Sequence, residues 1–255
     1  MSLELHPAGH ILGSAQLLFE RDGRSLVFTG DFKRRPSRTA VAATAPPAEI
    51  LVTETTFGLP VFRFPRREEL EERLIAACRR AFEEEKTPVL LAYGLGKSQE
   101  VALILAAAGI PTVLHGAAWK LLPEFEAAGH AFPLSRAYET GPARPGEALI
   151  VPPTCARTPV VRNVKRRRIV YLSGWATREA SRADFDADVL LPMSDHADFF
   201  ELLEHVADTA PRRVVTMHGY ARDFARILTA RGTPAEVLPS GTERSGREDE
   251  GEEGS

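Results

Sequence analysis

The histidines and acids that could do chemistry in this chain stand in short segments rich in glycine, serine and threonine. His10 belongs to Pro7-Ala8-Gly9-His10, with Gly13-Ser14 just beyond, and Asp31 closes Thr29-Gly30-Asp31 directly after a predicted strand. Glu54 lies in Thr53-Glu54-Thr55-Thr56-Phe57-Gly58, His196 in Ser194-Asp195-His196-Ala197-Asp198, and His218 in Met217-His218-Gly219. Imidazole and carboxylate are ordinary zinc ligands. An imidazole near a carboxylate titrates close to neutrality and can pass a proton to a reacting oxygen. Loops at strand ends suit both tasks, because the sheet aims the side chain and the loop leaves it accessible. Each residue also has a plain structural reading: His10 and Asp31 as turn or cap residues, and Ser194 or Asp195 as the cap of the helix that follows.

The elements that must position these residues are legible as periodicities. Residues 15–20 and 25–28 read as a hairpin around Arg21-Asp22-Gly23-Arg24, with Asp-Gly as the turn signal, and 49–53 as a third strand. From Pro65 the texture changes. Leu70, Leu74, Cys78 and Phe82 form an amphipathic helical stripe, followed by a strand at 88–93, a helix at 98–108 and a strand at 111–115. Strands at 148–151, 168–173 and 189–191 follow, then a helix at 199–207, a strand at 213–217 and a helix at 221–231. Such alternation indicates an α/β fold with a parallel layer.

Composition is that of a globular chain: 44% hydrophobic and 26% charged over 255 residues. No apolar run approaches the ~20 residues of a membrane span, and no secretory signal pattern is visible, so the expectation is a cytoplasmic protein without a membrane partner. Cys78 and Cys155 are too few for a disulfide framework. The net charge of −3 is unevenly placed: residues 241–255 hold six acids and two bases, or −4, which leaves +1 on the rest. That acidic stretch has no apolar periodicity and is expected to be disordered. Contact with nucleic acid would need local basic patches. The candidates are Lys33, Arg34, Arg35 and Arg38, then Arg63, Arg66 and Arg67, then Lys165, Arg166, Arg167 and Arg168; for each the alternative is a solvated surface. The segment Tyr93-Gly94-Leu95-Gly96-Lys97-Ser98 is no P-loop, since the first glycine of that motif would fall at Leu91. Lys97 at a helix start is a candidate phosphate contact, or simple turn chemistry.

Taken together and in this order, the five segments around His10, Asp31, Glu54, His196 and His218 resemble the metallo-β-lactamase nucleases of the β-CASP type, and among them the bacterial DNA ligase-associated DNA exonucleases. The likeness runs from His6 to about Leu238. It implies the C-terminal part of an αββα metallo-β-lactamase sandwich, residues 1–57 and 177–240, with a β-CASP αβ domain inserted at 58–176. It also implies two zinc ions, with His10 and His218 as ligands and Asp31 bridging. His196, helped by Glu54, would protonate the leaving oxygen. The turn before Lys97 resembles a strand-to-helix turn of the β-CASP insert, and Trp175 recurs in the ligase-associated group, where packing between the two domains is its expected role. His6, His115, His130 and His205 match no family position, and His130 and His205 read as surface or core-edge residues. The implied substrate is DNA, in repair beside a DNA ligase or helicase. An RNA nuclease of the mRNA 3′-end-processing type shares every motif.

One family element has no counterpart in these residues, the His-x-His-x-Asp-His loop that would precede His10. The resemblance then leaves two protein ligands per ion, one of them shared, so weak or partial zinc binding is expected. It also leaves the first sheet with an open edge and an uncovered face. Three readings stay open: a chain that starts late, a separate polypeptide carrying the loop, or a non-catalytic subunit that binds nucleic acid.

Overall fold

The computed structural model describes residues 1–239, so the acidic stretch 241–255 lies outside the described residues. Two six-stranded sheets organise the chain. The first has the order β1-β2-β3-β4-β11-β12, built from β1 (Ser2–Pro7), β2 (Ala15–Arg21), β3 (Arg24–Phe28), β4 (Ile50–Glu54), β11 (Arg213–Met217) and β12 (Ala235–Val237). β1, β2 and β3 pair antiparallel, whereas β3, β4, β11 and β12 run parallel. Helices α7 (Phe199–Thr209) and α8 (Ala221–Ala230) belong to this unit. Leu18, Val27, Leu51 and Val214 meet Phe199, Leu202, Phe224 and Leu228 in one core cluster.

The second sheet is wholly parallel, in the order β10-β9-β5-β8-β6-β7. Its strands are β5 (Thr87–Leu91), β6 (Thr112–Leu114), β7 (Ser135–Ala137), β8 (Ala148–Val151), β9 (Arg167–Leu172) and β10 (Val189–Leu191). The helices of this unit are α1 (Arg67–Glu83), α2 (Lys97–Ala107), α3 (Gly116–Trp119), α4 (Leu122–Ala127), α5 (Pro159–Arg162) and α6 (Ala180–Phe185). Continuous apolar runs such as Ala148–Val151 are buried throughout, as strands with both faces covered must be. β10 hydrogen-bonds to β9, so the chain stays with the second sheet past the boundary expected at 176/177 and returns to the first unit only after Leu191.

The first sheet is apolar on both faces, but only one is covered. Opposite the helix-backed face lie Leu3, Leu5, Leu17, Phe19, Leu26 and Phe28, brought side by side by the pairings Leu3–Phe19, Leu5–Leu17, Leu17–Phe28 and Phe19–Leu26. None of the six belongs to a core cluster among the described residues, and Leu3 and Leu5 are 55% and 68% exposed. β1 is an edge strand. The uncovered face and open edge expected from the family likeness are both present.

Phe57, Phe62 and Phe64, on the stretch that leads from β4 to α1, pack with Trp175 and Tyr220 into an aromatic hinge between the units. A Cβ on Gly174 would lie 2.3 Å from the Phe57 ring, so only glycine lets the two approach. Trp175 packs with its ring centre 4.8 Å from Phe57, tilted, and 5.6 Å from Phe62, edge to face, which is the packing role expected for it. No described helix is long and apolar enough to cross a membrane.

Candidate functional site

The loops that follow the parallel strands of the first sheet all open on one end. Asp31 follows β3, Thr55 and Thr56 follow β4, and His218 follows β11, whose register sets Met217 beside Glu54. Carboxyl ends of parallel strands are where α/β sheets place ligands. The β1–β2 connection brings His10 to the same end. Its turn is closed by the Ala8 N–H donating to Ser14 O and by Ser14 Oγ, which accepts from the Ile11 N–H and donates to Ile11 O. Gly9 has φ +73°, and a Cβ there would sit 2.3 Å from Lys33 O, so this glycine is required.

His10, Asp31 and His196 each offer one potential ligand atom, and these atoms lie within 4.8 Å of one another. His10 Nε2 is 4.0 Å from Asp31 Oδ2, and the His10 and His196 ring centres are 4.7 Å apart. His10 Nδ1 is 3.1 Å from the Asp195 carbonyl oxygen. A carbonyl can only accept, so Nδ1 carries the proton and Nε2 presents its lone pair towards Asp31. Two imidazoles and a carboxylate are a donor set suited to zinc. The residues therefore fit a divalent metal ion.

Behind His196 stands Glu54, fully buried. Its Oε1 accepts from the Phe32 N–H at 3.0 Å and from His196 Nδ1 at 2.9 Å, while Oε2 accepts from the Thr56 N–H and hydroxyl at 3.2 and 2.5 Å. Burial alone would raise the Glu54 pKa, but the His196 imidazole, the Thr56 hydroxyl and the Phe32 N–H outweigh it and hold the carboxyl below the usual range. Burial likewise works against a charged His196, and the Glu54 carboxylate overcomes it, so the imidazole pKa lies above its ordinary 6.5. With Nδ1 bonded to Glu54, His196 presents Nε2 to the open side.

These two shifts predict a stability profile for the metal-free protein. The depressed Glu54 contributes stability that is present above its ordinary pKa and lost as pH falls through the folded value. The raised His196 contributes stability that is complete below 6.5 and lost as pH rises through its folded value. Urea unfolding in the presence of chelator should therefore show a plateau between about pH 4.5 and 6.5 that declines on the alkaline side. Glu54→Gln should flatten that decline. A wild-type curve indistinguishable from the variant's would mean the pair contributes nothing.

The other expected residues fall elsewhere. His218 is exposed and stands outside the three-residue cluster. Its backbone adopts φ +59° and is tied by the Thr55 hydroxyl, which donates to His218 O at 2.6 Å. Asp22, Glu85, Asp186 and Ala210 adopt the same left-handed backbone at turns and helix ends, so the conformation by itself assigns His218 no role. Lys97 is not a surface phosphate contact: it is 1% exposed, and its ammonium pairs with Asp195 at 2.5 Å and Glu100 at 3.5 Å. Lys165, Arg166 and Arg167 lie at the start of β9, whereas the pocket is lined by Ser173 and Gly174 beyond its far end. Six strand residues at ~3.3 Å each put them roughly 20 Å from the cluster. Arg166 pairs there with Glu85, and Arg167 reaches Asp186 at 3.9 Å.

Most of the other basic residues are used internally. Arg35 binds Asp198 and Glu201, Arg34 binds Asp208, and Arg38 and Arg67 share Glu71. The cap of α7 is Asp198 in a capping box with Glu201, rather than Ser194 or Asp195. His205 is a core residue and not a surface one; burial and the nearby Arg34 push its pKa down to about 3.

Sequence reasoning did not find the cavity beside the cluster. It measures about 270 Å³ and is lined by Ile11, Phe57, Tyr93, Leu95 and Trp175 together with His10 and His196. Tyr93 and Leu95 are about half exposed at its rim. The signal available in advance was the aromatic and apolar content of the loop after β5.

No protein-family model matches the chain. It is 39% identical over 232 residues to a protein of Opitutus terrae described as a probable DNA ligase, covering 91% of this chain and 23% of that one. An RNase J-like protein of Methanocaldococcus jannaschii is 35% identical over 107 residues, or 41% of this chain and 25% of the relative. The cleavage and polyadenylation specificity factor 73 of Drosophila melanogaster is 34% identical over 100 residues, 38% of this chain and 14% of the relative. The chain thus spans about a quarter or less of the length of these relatives. Among solved structures, a protein of unknown function from Enterococcus faecalis superimposes with a TM-score of 0.58 at 16% identity, covering 93% of this chain and 62% of that one, a likeness of fold alone.

Proposed function

We infer that this chain, which belongs to the β-CASP group of metallo-β-lactamase-fold proteins, forms part of a metal-dependent nuclease that hydrolyses phosphodiester bonds. The observation that carries the reading is the meeting of His10, Asp31 and His196, with the buried Glu54 hydrogen-bonded behind His196. Zinc is the ion we assign, and His10 and Asp31 would hold it. When bound it would supply Lewis-acid stabilisation at a phosphoryl oxygen and lower the pKa of a water. The chain's own residues do the rest. His10 is oriented by the Asp195 carbonyl. Glu54 raises the pKa of His196, so that more of the imidazole carries at Nε2 the proton that a leaving oxygen needs. Phe57, Tyr93 and Trp175 line an apolar wall against which a nucleotide can lie.

DNA is the preferred substrate in this reading, and a DNA ligase the preferred pathway partner, because the relative matched over most of this chain is described as a ligase. RNA is the alternative, supported by the RNase J-like and cleavage-factor relatives. Further donors, from a polypeptide segment bearing the His-x-His-x-Asp-His pattern, would seat on the apolar face of Leu3, Leu5, Leu17 and Phe19 and complete a two-ion site.

The deciding experiment incubates the protein with end-labelled DNA and RNA, with zinc and with chelator, alone and with the matching segment of a relative supplied in trans. Zinc-dependent cleavage that is weak alone and rises with the added segment supports the reading. Metal-independent binding without cleavage under every condition would instead make the chain a nucleic-acid-binding subunit.

A further inference from the structure

Lys97 sits on the inserted unit, yet its charge is spent against the metal cluster of the other unit. Its ammonium lies 2.5 Å from Asp195 Oδ1 and 3.5 Å from Glu100 Oε2, and both Lys97 and Glu100 are about 1% exposed. Asp195 is the residue whose carbonyl accepts from His10 Nδ1, and it directly precedes His196. A second contact comes from the same turn of α2. Gly96 has φ +82°, and a Cβ there would lie 2.5 Å from Ile11 Cγ2, so the start of α2 presses directly on the residue after His10. Glu100, one turn on, accepts from the Arg38 N–H at 3.3 Å, which ties the helix to the first unit again. A cation at the first position of a helix works against the macrodipole, and burying it is costly unless it is paired. Local preferences of α2 therefore do not account for Lys97 being there; its partner across the unit boundary does.

We propose that Lys97 is a positioning residue. By holding the Asp195 side chain it fixes the Asp195 carbonyl, and that carbonyl keeps the proton of His10 on Nδ1 and the Nε2 lone pair facing Asp31. The inserted unit thereby sets the metal-binding tautomer of a histidine that belongs to the other unit. The metal part of this inference rests on the reading of His10 and Asp31 as ligands. The tautomer part stands without metal.

The test uses the full chain labelled with ¹⁵N. Long-range ¹H–¹⁵N spectra of the histidine rings, without metal, should show His10 as the Nδ1–H form in the wild type and as a mixture in Lys97→Met. Cobalt(II) titration, followed by its visible absorption, should show affinity lower by about 10–100-fold, the usual effect of losing an outer partner of a ligand histidine. Lys97→Arg, which keeps the charge, should recover most of both signals. Because Lys97→Met leaves a buried acid unpaired, Lys97→Met/Glu100→Gln is measured beside it, removing one charge of each sign; circular dichroism and the melting transition identify which variant is folded. A folded Met variant with an unchanged His10 spectrum and unchanged cobalt affinity overturns the proposal, as does a Lys97→Arg protein no better than Lys97→Met. If the wild type binds no cobalt while the His10 form still depends on Lys97, the metal reading fails and the positioning role stands. If all variants bind cobalt alike and show the same His10 form, the positioning role fails and the metal reading stands.

Discussion

Replacing His196 by alanine is expected to slow phosphodiester cleavage by about 10²–10⁴-fold and to leave bound metal in place, the pattern of a lost general acid. The expectation rests on the Glu54 contact. A carboxylate that accepts four hydrogen bonds, one of them from His196 Nδ1, has no free lone pair facing the open side and acts on the site only through the imidazole. The imidazole pKa is raised, so near neutrality more of it carries the proton that an acid needs. His196 also lies among the three potential ligand residues, and its Nε2 could bind metal instead. The measurement that separates the roles is metal content after dialysis, taken alongside single-turnover rates. An alanine variant that loses zinc in step with activity would make His196 a ligand, and the acid would have to be sought elsewhere. Glu54→Gln gives an independent handle: it should lower the pH above which the rate declines, because the neutral amide no longer holds the charge on His196.

Asp31→Ala should have the larger effect on metal. Asp31 supplies the only carboxylate of the cluster among the described residues, and it is 46% exposed, so its removal costs little in packing. With His196 acting as the acid, His10 alone would remain of the two assigned ligands, far below the three protein ligands usual for a catalytic zinc. Affinity should fall by at least the roughly 10–100-fold that follows loss of an outer-shell partner, and zinc-dependent cleavage should fall to the level seen with chelator. The melting transition of the metal-free protein should hardly move. Isothermal titration with zinc and the cleavage assay together check this. Unchanged zinc affinity in Asp31→Ala would show that the ion sits elsewhere, and the assignment of His10 would fall with it.

Helices and strands were readable wherever burial imposes a period. The stripe Leu70, Leu74, Cys78 and Phe82 became α1, and the apolar run Ala148–Val151 became a central strand of the second sheet. β1, β7 and β12 escaped: β7 and β12 are three residues each, too short to show a period, and the alternation of Leu3 and Leu5 with Ser2, Glu4 and His6 in β1 was a period of two that went unread. The candidate site residues were legible by type and local context. His10, Asp31, Glu54 and His196 do converge, and Glu54 meets His196 across 142 residues of sequence.

By itself, then, the sequence determined which segments carry imidazole and carboxylate at strand ends and where helical and strand periods fall. These follow from local chemistry and periodicity, which need no knowledge of what packs against what; the αβ unit interrupting a first sheet, and the uncovered part of that sheet, were implied by the family resemblance. Only the tertiary structure decided which charges are free. Lys97, Arg35 and Arg38 look like a phosphate-binding surface when read along the chain, but each is paired with an acid distant in sequence, Asp195, Asp198 and Glu71. His205 looked peripheral and is buried, while His218 stands exposed in a left-handed turn outside the cluster. The physical reason is common to all of them. A side chain's charge, exposure and proton are set by partners that meet only when the chain folds, within the first unit for Arg35 and His205 and between the units for Lys97 and Arg38, and the chain order of residues does not record those meetings.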